Sequence, residues 1–142
     1  MTTNAIYDAL LALGASISTA STGPIVESGR RLKLFDKAQK PALYQVEPDD
    51  NVASKLGQIG RRTLNVTWVI YHNIGKGQST EPARATADLV DAVLACFQRP
   101  GGFIQTLGGL VTAAYVNGKI RKFEGDLDGQ TIITVPIDIL VP

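Results

Sequence analysis

Between Arg62 and His72 the sequence alternates with a period of two. Leu64, Val66, Trp68 and Ile70 fall on one parity, and Asn65, Thr67, Val69 and Tyr71 on the other. Side chains along a strand point to opposite faces in turn, so this pattern predicts a half-buried antiparallel strand. Its β-branched and aromatic residues fit a pleated surface. Such a strand needs neighbours, and five other stretches can supply them. Arg30 to Phe35 alternates loosely, and Ala42 to Glu47 follows Pro41. The remaining three lie in the last third, at about Leu110–Val116, Lys119–Glu124 and Gln130–Leu140. Asn117-Gly118 predicts a hairpin between the first two of these, because a tight primed turn needs positive φ at both central residues. In the last strand Ile133, Val135, Ile137, Ile139 and Val141 share a face. Pro136 has no N–H to give a ladder, which predicts an edge position or a bulge.

Two helices complete the pattern. The first is predicted over about Thr3 to Ile17, where Ile6, Leu10, Leu13 and Ile17 recur at helical steps. A threonine at position 2 or 3 can cap it, and Gly14 weakens its final turn. The second is predicted from a cap at Ser79 or Thr80 to about Gln98, with Pro82 in the first turn and a stripe of Leu89, Val90, Val93, Leu94 and Phe97. Pro100-Gly101-Gly102 ends it. Residues 18–29 read as a loop, and Pro48 to Gly60 reads as a long polar loop without a period. Loops of that length are usually functional or mobile.

The element order is therefore α-β-β-β-α-β-β-β, without a repeat. It predicts an α+β fold in which an antiparallel or mixed β-sheet has two α-helices packed on one face. With 142 residues, 44% of them hydrophobic and 19% charged, the chain suits a single domain over 1–142 with an adequate core. No apolar run reaches the ~20 residues that a membrane helix needs. The opening Met-Thr-Thr-Asn has no basic region and Asp8 breaks the first apolar stretch, so no signal peptide is expected. A single cysteine, Cys96, forms no internal disulfide and suits a reducing interior.

Chemistry-bearing motifs are sparse. Lys and Arg number 14 against 13 acids, so overall charge gives no nucleic-acid signal. His72 is the lone histidine, at a strand end and without a visible Ser/Cys–His–acid set. Cys96 reads as a small apolar residue inside a helix. Asp88 and Asp91 lie on one helix face, and Arg84 four residues before Asp88 predicts a solvated ion pair. Gly75-Lys76-Gly77-Gln78-Ser79-Thr80 stands between a strand and a helix, where a phosphate cradle would lie. It fails the Walker spacing, with Ile at position 70, and the dinucleotide spacing, with Thr at position 80. No metal, cofactor or catalytic residue is expected. Basic residues cluster locally at Arg30, Arg31 and Lys33, at Arg61 and Arg62, and at Lys119, Arg121 and Lys122. These read first as solvated faces and subunit salt bridges, and second as contacts to DNA.

Several segments together carry a resemblance. They are Lys40-Pro41-Ala42-Leu43-Tyr44-Gln45, the strand from Leu64 to Val69-Ile70-Tyr71, Thr106-Leu107-Gly108-Gly109-Leu110-Val111, Glu124-Gly125-Asp126, and the closing Gln130 to Pro142. In this layout, which spans nearly the whole chain, the sequence resembles the tail terminator (tail completion) proteins of long-tailed bacteriophages, the lambda-like minor tail protein being a familiar one. The resemblance implies an α+β subunit of a six-membered ring. That ring caps the tail tube, ends its polymerisation and offers the surface for head or neck attachment, without cofactor or catalysis. It implies as partners other copies of the chain, the tail tube protein and a head–tail connector or neck protein, in a virion tail assembled in the host cytoplasm.

On that reading Asp49, Asp50, Lys55, Arg61 and Arg62 are the candidate subunit or tube interface, with the 48–60 loop ordering on assembly. Arg30, Arg31 and Lys33 are candidates to line a channel that passes DNA or to meet acidic partners. Another neck, head-closure or tail-tube protein is the neighbouring alternative. A small nucleotide-binding enzyme using Gly75–Thr80 is the alternative from another class.

Overall fold

Helix α1 runs from Thr3 to Ala15. The Thr2 hydroxyl accepts from the Ala5 N–H at 3.2 Å and so takes up one of the helix's orphan donors. The helix stops two residues short of the predicted Ile17, which is nevertheless buried. Gly14 has a packing reason. A Cβ there would stand 2.9 Å from Leu43 Cδ1 and 3.0 Å from Trp68 Cζ2, so glycine lets the helix end close onto the sheet. The computed structural model describes residues 2–73, 81–98, 104–124 and 130–142.

The predicted 18–29 loop is partly extended. β1 (Ser18–Thr19) and β2 (Gly23–Pro24) form a small antiparallel ribbon, and β3 (Glu27–Gly29) joins the main sheet parallel to residues 42–44. The strand predicted over Arg30 to Phe35 is not there. That segment leaves the sheet plane and crosses one face, with a 3-10 turn at Phe35–Lys37. Two contacts draw it over: the Phe35 ring lies 5.1 Å from that of Tyr71, and the Tyr71 hydroxyl donates to Lys33 O at 2.8 Å.

The largest correction concerns residues 48–60. They are two strands, not a loop. β4 (Ala42–Lys55) and β5 (Gln58–Asn73) form one long antiparallel hairpin that turns at Leu56-Gly57, with φ of 53° and 81°. The period vanished from the sequence for a physical reason. The register shifts between Val46 and Asp49 and again between Ala53 and Ser54, and each irregularity resets which parity faces the core. Toward the tip, residues 49–54 are exposed on both parities, so no apolar alternation is required.

α2 spans Glu81–Phe97, and the predicted Ser79/Thr80 cap lies outside the described residues. β8 (Gln130–Val141) pairs with β5 along its length, from Asn73↔Gln130 to Arg62↔Val141. β6 (Ala113–Val116) and β7 (Arg121–Glu124) both pair with β8 rather than with each other. The Asn117-Gly118 hairpin is therefore absent, and β6 and β7 are successive pieces of one broken edge strand. The break lies opposite Pro136, between Val116↔Ile137 and Arg121↔Thr134. The proline is thus inside the sheet, and its neighbour carries the irregularity. Asn117 N–H donates to Pro136 O at 3.0 Å, and Gly118, at φ 125°, admits the ring where a Cβ would lie 3.1 Å from Pro136 Cγ.

The main sheet has the order β3-β4-β5-β8-β6, with β7 also on β8, and only the β3–β4 pair is parallel. The fold is α+β with a mixed sheet. One core cluster unites Ile6 and Leu10 of α1, Leu89 and Val93 of α2, and Leu43, Trp68, Ile70, Ile133 and Val135 of one sheet face. Both helices therefore cover the same face. On the opposite face a second cluster gathers Ala38, Ala42, Tyr44, Val69 and Tyr71 under the crossing segment.

Candidate functional site

The hairpin separates the five residues expected to act together. Arg62 Nε donates to Asp50 Oδ1 at 2.9 Å, and Arg62 Nη2 meets Asp50 Oδ2 at 2.5 Å. This two-pronged contact to Arg62 holds the Asp50 carboxyl below its usual range. Both residues lie on the helix-side parity, since Asp50 pairs with Leu64 and Arg62 continues the Leu64–Val66–Trp68 series. Asp49 and Arg61 stand on the other parity, opposite Asn65 and Ala53. Both are exposed and have no ion-pair partner among the described residues. Lys55 is the last residue of β4, paired across the turn with Gln58.

The Arg30 group divides as well. Arg30 is the centre of an internal network and is not free for a channel or an outside acid. Its Nε and Nη2 donate to the Glu47 carboxylate at 2.8 and 2.7 Å, and its Nη1 reaches Asn4 Oδ1 at 3.1 Å and Asp8 Oδ1 at 3.3 Å. Its guanidinium lies 5.0 Å from the Tyr7 ring centroid. Lys33 also has its acid within the chain, Glu27 at 2.5 Å. That bond, with a second from the Gln39 N–H, lowers the Glu27 pKa to about 2. Arg31 alone of the three is exposed without an ion pair among the described residues.

Arg31 borders a hollow of about 570 Å³ that the sequence did not announce. Ser28, Leu32, Leu34, Lys37 and Tyr44 line it too. The Tyr44 hydroxyl is buried without a geometrically sound hydrogen bond, and burial first, then the Glu27 carboxylate beside it, raises its pKa. Nor did the sequence announce a polar ladder across the open sheet face. Asn51 Nδ2 donates to Asn65 Oδ1, Asn65 Nδ2 to Asp138 Oδ1 at 2.6 Å, and Asn117 Nδ2 to Asp138 Oδ2 at 2.7 Å. These residues are far apart in sequence, and strand pairing alone aligns them.

His72 and Cys96 are packed inside. His72 is 1% exposed, with Nε2 3.0 Å from Thr86 Oγ1, and burial lowers its pKa to about 4. Cys96 is half-buried against the main core, which raises its thiol pKa. Asp88 accepts a hydrogen bond from the Ser21 hydroxyl, and the Arg84–Asp88 ion pair is not formed. The Gly75–Thr80 segment lies outside the described residues. Among the described residues no three of His, Cys, Asp and Glu gather as a metal set. No described helix is long and apolar enough to cross a membrane. Neither a protein-family model nor a curated protein matches the chain.

Proposed function

We propose that this chain is a structural assembly protein of the phage tail-terminator kind. It forms a ring, six-membered by the resemblance, that caps the tail tube, stops its growth and presents a surface to the head or neck. The reading rests most on one observation: the β4–β5 hairpin carries exposed apolar side chains, Val52 at 49% and Leu56 at 96%, at its far end. Large apolar groups displayed at a strand tip gain nothing within their own chain and suit docking on another protein. The resembling segments Ala42–Gln45, Leu64–Tyr71 and Gln130–Val141 are also neighbours in one sheet.

The test is mass in solution with and without tail tubes, paired with electron microscopy. A terminator gives closed rings, free or at tube ends only. Binding along tube sides, or unlimited filaments of the protein alone, would overturn the reading, and filaments would favour a tube protein. Exposed Arg31 is the one residue of the 30–33 group left for DNA in a channel. Its loss should leave ring formation intact.

A further inference from the structure

Among the described residues the main sheet has two open edges. β4 is paired on its outer side only at residues 42–44, where β3 lies, and no described strand covers it from Gln45 to Lys55. At the other end, no described strand covers the outer side of β6 or β7. Open edges are templates for pairing, and proteins guard them with charge and bulges. Here the guards have opposite sign. The β4 edge carries Asp49, exposed and without an ion pair among the described residues, beside a register shift; Glu47 and Asp50 on the same strand are already held by Arg30 and Arg62. The β7 edge carries Arg121 and Lys122, preceded by Lys119, all exposed and without an ion pair among the described residues. Each edge also shows apolar groups: Val52 on one, Phe123 at 55% and Tyr115 at 37% on the other.

We propose that the β4 edge of one copy pairs with the β6–β7 edge of the next, continuing the sheet from subunit to subunit. This inference rests on the ring reading above and names the contact that would build the ring. Three features select this pairing. β4 against β4 would set the unpaired Asp49 near its equal, and β7 against β7 would set Arg121 and Lys122 near theirs. Like charges across strands destabilise both symmetric pairings, so only the mixed one is favourable. β7 runs antiparallel to β4, because each step β4–β5–β8–β7 reverses direction. A copy added in the same orientation therefore meets this edge antiparallel, with its helices on the same side. Finally, the unpaired charges share a face. Arg121, opposite Thr134, lies on the non-helix face with Asp49; through Val69 it is level with Tyr44, so the incoming copy slides about five residues along the strand to bring the two together. An edge that fits only a different edge is a heterologous contact, which closes into a ring when the rotation allows.

Charge reversal tests this, with sedimentation velocity as the readout and near-ultraviolet circular dichroism to check folding. Asp49→Lys alone, and Arg121→Glu with Lys122→Glu alone, should each weaken self-association roughly tenfold or more, in solution or at tube ends. Mixing these two variants should restore it, because each edge then meets its opposite. Combining all three changes in one chain should restore it too. Unchanged association of the single-edge variants, or failure of both restorations, overturns the edge pairing. The two readings fail differently. Variants that still close rings at tube ends refute the edge contact and leave the terminator role. Charge-dependent rings that ignore tube ends refute the terminator role and leave the contact.

Discussion

The Trp68 indole N–H donates to Gln45 Oε1 at 3.1 Å, and Gln45 Nε2 donates in turn to Tyr7 O at 3.0 Å. One fully buried amide thus ties α1, β4 and β5 together inside an apolar core. Gln45→Leu keeps the volume but strands the indole N–H and removes the second hydrogen bond to the Tyr7 carbonyl, which keeps its place in the helix ladder. An unpaired buried polar group costs about 1–3 kcal/mol. The expected loss is about 1–3 kcal/mol, read from the midpoint of urea unfolding at unchanged m. A loss below about 0.5 kcal/mol would mean that water reaches these atoms.

His72 sets a pH dependence. Its folded pKa, about 4, lies below its ordinary 6.5 because burial disfavours the charged ring. Between these values the unfolded chain binds the proton and the folded chain does not. Stability is therefore full above pH 6.5 and falls as pH drops toward 4. Carboxylates are still mostly ionised between pH 6.5 and 5, so that window isolates the histidine. A fall of about 2 kcal/mol is expected across it. Unfolding free energies measured at the two pH values should show it, and His72→Asn should flatten the slope.

The sequence revealed the sheet's centre and missed its margins. Leu64, Val66, Trp68 and Ile70 announced β5 because that part of the strand is covered on one face. Ile133 to Ile139 announced β8 for the same reason. Residues 48–60 gave no such signal, since exposed strand faces impose no alternation and the register shifts scramble what remains. Asn117-Gly118 misled because its turn chemistry is real. Gly118 does adopt positive φ, but to pass Pro136 rather than to reverse the chain. Of the candidate surface residues, charge alone was legible. Nothing in the local sequence showed that Arg30 would be taken by Glu47, which lies 17 positions later.

Gly14 gives a test of close packing. Gly14→Ala should help the helix by up to about 1 kcal/mol through propensity. The new methyl would press on Leu43 and Trp68, both fully buried with little room to yield. Overpacking of this kind costs about 1–3 kcal/mol. The clash should win, leaving a net loss of about 1–2 kcal/mol by thermal or urea unfolding. A gain in stability would show that the helix end can lift off the sheet.

Leu56 poses the reverse case, a residue that its own chain would do better without. It is the first of two turn residues, with φ 53°, and it is 96% exposed. A left-handed backbone costs an ordinary L-residue about 1–2 kcal/mol, and asparagine tolerates it better. Asn-Gly is also the preferred pair for a two-residue primed turn. Leu56→Asn should therefore stabilise the dissociated chain by about 1 kcal/mol, and Leu56→Val should destabilise it by a similar amount. Unfolding must be followed below the concentration at which copies associate, so that only the turn is sampled. If Leu56 is kept for a contact outside the chain, the same Leu56→Asn variant gains stability alone and loses affinity for its partner. A stabilised variant that still caps tubes like the parent protein would remove Leu56 from the docking surface.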